Sequence, residues 1–281
     1  MIYDAFLFFN ELDLLDIRLN LLNDVVDRFV IVESTVTFSG NPKKLHFNEN
    51  KNRFKQFQDK IIHVIIDDTP EDFLNLKTIM EENNSVFKNK ILKYLSISTG
   101  WSRDQKQWGR EIYQRESIIM GLINCSDNDM IIISDVDEIP NPVEIPNKIN
   151  EVYEFKQDMF YYNLRTLKEK NWSGPKMAPW SVLKDNSLNI LRQNKLTNKV
   201  ISNGGWHLSF MGGEKRIKDK IEAYAHQEFN NDIIKNNIKD SILNKTDLFN
   251  RPNHNLIEIN INDVYPKILL DIVKEKYSYL I

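Results

Sequence analysis

The chain has 281 residues, with 37 Lys and Arg against 40 Asp and Glu and a formal charge of −3, so no basic surplus is present to neutralise a phosphate backbone and no nucleic-acid partner is expected. The length and a hydrophobic content of 41% suffice for one large core, while the single cysteine, Cys125, excludes an intramolecular disulfide and argues against a structural zinc site. No apolar run approaches the roughly 20 residues of a membrane span, and Asp4, Glu11 and Asp13 interrupt the apolar start, so a soluble, cytoplasmic protein with no membrane span is expected.

Residues 2–9 form an apolar run of strand length, and Leu12, Leu15, Leu19, Leu22 and Val26 recur at spacings of three and four, as on one face of a helix. Residues 29–32 read as a second buried strand, which gives a βαβ opening. A Ser39-Gly40-Asn41-Pro42 loop leads to a polar helix near 50–58 and a third strand over 61–66. Residues 71–99 read as partly exposed helix and 104–124 as another, with Trp108, Ile112, Arg115, Ile119 and Leu122 at helical spacing, running into an all-apolar strand at 130–134. Short apolar strands separated by helices favour a mainly parallel arrangement here. Beyond residue 140 the pattern changes: 160–162 and 206–210 suggest mixed strands, separated by a loop at 171–180 containing Trp, Pro and Gly, and helices close the chain over 215–226, 231–248 and 264–277. With no internal repeat or low-complexity linker, a single α/β domain spanning 1–281 is expected, with a mixed central sheet.

Ligands of open parallel sheets bind beyond the carboxyl ends of the strands, and three of the four strands predicted in the first half end in acids: Glu33, Asp67-Asp68 and Asp135-Val136-Asp137. In extended backbone Asp135 and Asp137 point to one side and Val136 to the other. Two hard oxygen ligands on one side suit Mn²⁺ or Mg²⁺ and leave room for water and a substrate phosphate. The competing reading is a solvated Asp-rich turn. Against it, residues 130–133 carry the pair to the rim of a buried strand, and Pro140, Pro142 and Pro146 follow in a loop that is not expected to continue the sheet, so a rigid acidic corner is specified.

A set of ordered blocks resembles a known family. They are FFNELDLLDIRL at 8–19, VDRFVIVES at 26–34, TFSGNPK at 37–43, LHF at 45–47, Gln114-Arg115, IISDVDEIP at 132–140 and GWHLS at 205–209. Together they are similar to glycosyltransferase family 17. The resemblance implies a GT-A fold, a UDP-sugar donor, most specifically UDP-N-acetylglucosamine, Mn²⁺ or Mg²⁺, inversion at the anomeric carbon, and a glycan or glycoconjugate acceptor. On that basis residues 1–140 form the nucleotide-sugar-binding half and 141–281 the acceptor-binding half with the C-terminal helices. Another UDP-hexose as donor, or a catalytically silent sugar-binding module, remain the alternatives.

Roles follow from position. Asn10, Glu11 and Glu33 lie at strand ends where a base and ribose would sit, Asp135 is assigned to ribose or metal, and Asp137 to the metal. Arg115, or Arg110, is placed to reach a phosphate. His207 is the expected third metal ligand, with His226 as rival and a hydrogen-bonded core histidine as the plainer outcome. Gly212-Gly213 and Lys215 are expected near the diphosphate, and Glu214 is the expected base, with Glu222, Glu228 and Glu138 as alternatives and a carboxylate placed by the helix macrodipole as the plainer one. Trp172 and Trp180, flanking Gly174-Pro175, make a candidate acceptor loop, since aromatic faces pack on the apolar sides of sugar rings.

Overall fold

The computed structural model describes residues 1–193, 199–252 and 255–281. In chain order the elements are β1 (Ile2–Phe8), α1 (Leu12–Leu22), β2 (Arg28–Ser34), α2 (His46–Glu49), β3 (Ile61–Ile66), α3 (Leu76–Glu81), α4 (Val86–Ile97), α5 (Lys106–Glu116), β4 (Met130–Asp135), β5 (Glu138–Pro140), β6 (Tyr153–Tyr161), β7 (Thr166–Pro179), α6 (Trp180–Leu183), α7 (Leu188–Gln193), β8 (Val200–Ile201), β9 (Gly205–Ser209), α8 (Gly213–Ala223), α9 (Asp232–Asn244), β10 (Ile257–Glu258) and α10 (Lys267–Lys276). The strands make one mixed, ten-stranded sheet in the order β3-β2-β1-β4-β7-β6-β9-β5, with β8 on β6 and β10 on β7. Among the described residues no helix is long and apolar enough to cross a membrane.

β3, β2, β1 and β4 are parallel, as their apolar runs predict. β1 is buried along its whole length, which is why it carries almost no polar side chain. Its two faces serve two cores. Tyr3, Ala5 and Leu7 meet Ile91, Leu92 and Leu95 of α4 and Ile112 of α5 on one side. Phe6 and Phe8 meet Leu15, Leu19 and Leu22 of α1 on the other. The opposite face of α1, Leu14, Ile17 and Leu21, packs with Leu269, Leu270 and Val273 of α10. So α1 is enclosed between the sheet and the C-terminal helix, and its burial on two faces explains why its apolar residues exceed one helical stripe.

The second half departs from expectation in two places. The segment 171–180 is no loop: residues 171–179 are the end of β7, a 14-residue strand antiparallel to both β4 and β6, and Trp180 opens α6. Pairing advances from Lys156 opposite Ser173 to Glu154 opposite Lys176, so the extra residue of Gly174-Pro175 is taken up in a bulge, where a proline without an N–H is tolerated. Likewise Pro140 does not end the sheet. β5 lies at its edge, antiparallel to β9, with Glu138 opposite His207, Ile139 opposite Trp206 and Pro140 opposite Gly205. The predicted helix 104–124 stops at Glu116 and continues as a 3-10 turn, Ser117–Gly121, whose last residue runs so close to β2 that a Cβ there would lie 2.3 Å from Val30 Cγ1.

Gly205 sets the β5–β9 seam. Its φ is +125°, and a Cβ on it would lie 2.1 Å from the carbonyl oxygen of Ile139. Gly205→Ala is therefore expected to cost at least about 2 kcal/mol of stability, read as a lowered urea midpoint; an unchanged midpoint would show that the seam is free to relax.

Candidate active site

The parallel strands end on a cleft of about 890 Å³ whose floor is Asp135, Val136, Asp137 and Glu138. The turn is clamped from beneath by Arg18 of α1, which is fully buried. Its Nε and Nη2 donate to Asp4 at 2.7 and 2.6 Å, and Nη2 also to Ser134 Oγ at 2.6 Å. Its Nη1 donates to the carbonyls of Asp135, Val136 and Glu138 at 3.0, 3.1 and 2.9 Å. A planar guanidinium is suited to this, because its N–H groups diverge in one rigid fork. Val136 packs among Phe8, Phe47 and Ile132 and also borders the cleft; β4 ends at Asp135 and residues 136–137 turn, so Asp135 and Asp137 reach the cleft from a turn and not from the extended chain expected of their spacing.

Each floor carboxylate meets cations brought by a different element. Asp135 accepts from Arg115 of α5 at 2.9 Å, and Arg115 also pairs with Glu111 at 3.0 Å. Glu138 binds Arg192 of α7, and its other oxygen accepts from the Asp135 N–H at 3.1 Å. Asp137 Oδ2 receives Lys220 of α8 at 2.6 Å and faces His207 Nε2 at 3.5 Å. Burial pushes the Asp137 carboxyl up, but Lys220 and His207 outweigh it and hold it far below the usual carboxylate range. Burial likewise pulls Lys220 down, and Asp137 and Glu11 more than reverse it, so the ammonium keeps its proton. α7, which carries Arg192, is itself anchored by the buried Glu116, whose carboxylate accepts from Ser187 Oγ and from the N–H groups of Leu188 and Asn189 at 3.1 Å each.

Of the expected site residues, Asp135, Asp137, Glu11, Arg115 and His207 line the cleft together. Glu11 Oε2 accepts from the N–H groups of Phe9 and Asn10 at 3.3 and 3.0 Å, and Oε1 stands 3.9 Å from Lys220. Asn10 lines a small neighbouring pocket with Asp13, Arg216 and Tyr279. Glu33, expected beside the base and ribose, lies outside the cleft lining: fully buried, it accepts from the N–H groups of Phe47 and Asn48 of α2 at 2.9 and 3.3 Å and faces His63 Nε2 at 3.1 Å. Its link to the cleft is Lys43, 3.6 Å away, which does line it. Glu214 and Lys215 are exposed on the first turn of α8 and lie outside the cleft lining. The helix presents Lys220 and Ala223 to the cleft, and Glu214 precedes Ala223 by nine residues, about two and a half turns, which puts it on the opposite side.

His226 lines the outer cleft, its Nδ1 2.7 Å from Glu228 and its ring against Trp108, so His207 and not His226 stands beside Asp137. Trp172 lines the cleft with its ring 4.3 Å from that of His207 and the Arg192 guanidinium over it at 5.6 Å, whereas Trp180 packs against the core beneath α5 and β4. Arg110 lies outside the lining, donating to the Phe38 carbonyl at 3.3 Å. Sequence reasoning missed Arg18, Lys43, Arg192 and Lys220. For Arg18 a signal exists, one arginine within the apolar stretch LDLLDIRLNLL; for Lys220 none does, since it sits in a run of basic and acidic residues.

Among the described residues no three His, Cys, Asp or Glu side chains are gathered as a ready metal cluster. Yet the donor types fit a hard cation: Asp137 Oδ2 and His207 Nε2 lie 3.5 Å apart, His207 Nδ1 is buried without a partner, and Asp135 lines the same cleft. The ammonium of Lys220 is hydrogen-bonded to the same Asp137 Oδ2 at 2.6 Å.

Two outcomes test this account. Arg18→Met, which strands the buried Asp4 carboxylate, is expected to cost about 3–5 kcal/mol, with part recovered on adding Asp4→Leu, both read by urea denaturation. Burial pushes the Glu33 carboxyl up, but His63, the Phe47 N–H and Lys43 bring it net below its ordinary 4.5. A folded pKa below the unfolded one contributes stability above the unfolded value and loses it as pH falls through the folded value, so Glu33→Gln should flatten the loss of stability as pH falls below about 5.

Comparison with known proteins accords with this cleft. The human and rat proteins named β-1,4-mannosyl-glycoprotein 4-β-N-acetylglucosaminyltransferase are each 29% identical to the chain over 133 residues, which is 47% of this chain and only 20% of those proteins' length. The model of glycosyltransferase family 17 matches in two overlapping segments, residues 1–100 and 77–255, which between them contain every residue that lines the cleft. The chain belongs to glycosyltransferase family 17.

Proposed function

We propose that the protein is an inverting, divalent-cation-dependent N-acetylglucosaminyltransferase with a GT-A arrangement, moving the sugar from UDP-N-acetylglucosamine to a hydroxyl of a glycan. The observation that carries this is the Asp135/Asp137 pair on the cleft floor at the carboxyl end of β4 in a family 17 chain. The named relatives are N-acetylglucosaminyltransferases, which favours that donor over other UDP-hexoses.

Asp137, His207 and Asp135 would hold Mn²⁺ or Mg²⁺, which when bound offsets the charge that develops on the departing diphosphate. The chain's own residues do the rest. Phe9, Val36 and Phe38 wall the end of the cleft beyond β1 and β2, where strand-end geometry places a nucleotide base. Lys43 and Lys220 supply positive charge to phosphate oxygens, and Arg18 keeps the floor carbonyls, and so both aspartates, in fixed positions. Trp172 offers an aromatic face to an acceptor ring. Glu214, outside the cleft, is not placed to take the acceptor proton; among the described residues Glu169 and His226 line the cleft without pairing to an arginine or lysine of its floor.

The test is UDP release with Mn²⁺ across a panel of UDP-sugars. Selective release from UDP-N-acetylglucosamine, reduced at least about 100-fold by Asp137→Ala, is expected. Release from a different sugar alone would discard the donor, and a fully active Asp137→Ala would discard the site.

A further inference from the structure

The ammonium of Lys220 and a divalent cation want the same oxygen. Lys220 Nζ lies 2.6 Å from Asp137 Oδ2, the same oxygen that His207 Nε2 faces at 3.5 Å. Asp137 and His207 would hold a divalent cation through that oxygen, and an ammonium hydrogen-bonded to the same oxygen repels it at close range. The ammonium has somewhere to go. Glu11 Oε1 stands 3.9 Å from it, on a carboxylate fixed by the N–H groups of Phe9 and Asn10, and the Phe210 ring lies under the nitrogen at 5.5 Å. Phe210 itself is held in the left-handed region at φ +55°, a conformation that costs a bulky residue and that fixes its ring in the cleft. The four-carbon stem of a lysine allows the swing, while the helix that carries it stays packed through Ile217 and Ile221.

We propose that Lys220 is an exchangeable resident cation: it neutralises Asp137 in the metal-free protein and leaves it for the donor diphosphate and Glu11 when the divalent metal enters. This rests on the cleft being a nucleotide-sugar site. Its consequence is a built-in order. Metal alone has to displace Lys220 into the vicinity of Glu11 only, whereas metal arriving with a diphosphate finds the ammonium already drawn to the phosphate oxygens. Metal and nucleotide then assist one another through Lys220, beyond what their direct contact provides, and the assistance is reciprocal.

Because UDP binds metal by itself, the discriminating measurement is Mn²⁺ binding without nucleotide, followed by electron paramagnetic resonance or titration calorimetry. Lys220→Met is expected to tighten Mn²⁺ binding about tenfold and to shrink the gain from adding UDP by a similar factor. Glu11→Gln, which removes the carboxylate to which the ammonium retreats, is expected to move Mn²⁺ affinity the opposite way, and it serves independently if the Lys220 variant fails to fold. UMP, lacking the second phosphate, should give less coupling than UDP in the unmodified protein. Unchanged or weaker Mn²⁺ binding by a folded Lys220→Met protein overturns the proposal while leaving the transferase reading intact. Failure of the unmodified protein to bind Mn²⁺ even with UDP present overturns that reading and this proposal with it.

Discussion

The buried guanidinium of Arg18 is the interaction on which the site depends. It joins the first strand, the first helix and the turn after the fourth strand through one planar group, using Asp4 for charge and three carbonyls of the turn for geometry. A buried charge is costly unless paired and fully hydrogen-bonded, and here both conditions are met without water. The carbonyls that Arg18 holds belong to Asp135, Val136 and Glu138, so the same bonds that satisfy the arginine fix where the acidic side chains point. The Asp137 carbonyl is taken separately, by the N–H of Leu208 on β9 at 2.8 Å, which ties the turn to the second half of the sheet.

Around this fixed turn the cleft is built as a balance of charges. The acids come from one short segment, 135–138, while Arg115, Arg192 and Lys220 come from three separate helices. Such an arrangement is stable without ligand because no carboxylate of the floor is left uncompensated. Under the proposed function it is also poised, since a diphosphate and a divalent cation would bring charges of both signs to exchange with those already paired. The surrounding aromatic side chains, among them Phe9, Trp108, Trp172 and Phe210, lower the local exposure to water and make these exchanges stronger than they would be on an open surface.

Much of this was legible in the sequence. The parallel strands and α1 follow from local apolar periodicity, whereas Asp135 and Asp137 reach the cleft through a turn at 136–137 that the two-residue repeat of extended chain does not describe. The 171–180 segment was not legible as strand, because Gly174 and Pro175 are tolerated there only through a bulge set by register with β6. The short β5 was hidden for a similar reason: Pro140 fits at an edge, and being an edge is a property of the finished sheet.

The sequence by itself determined the strand-helix framework and the acidic corner at the end of β4, since both depend on residues a few positions apart. The tertiary structure decided which polar groups meet. Glu33 and Asp135 both close a buried strand, yet one anchors the backbone of α2 and the other faces the cleft. Glu214 and Lys220 share a helix, yet its rotation against the sheet turns only the lysine inward. Charge partners separated by 83 residues, as Asp137 and Lys220 are, are chosen by packing of distant elements, and no local pattern records that choice.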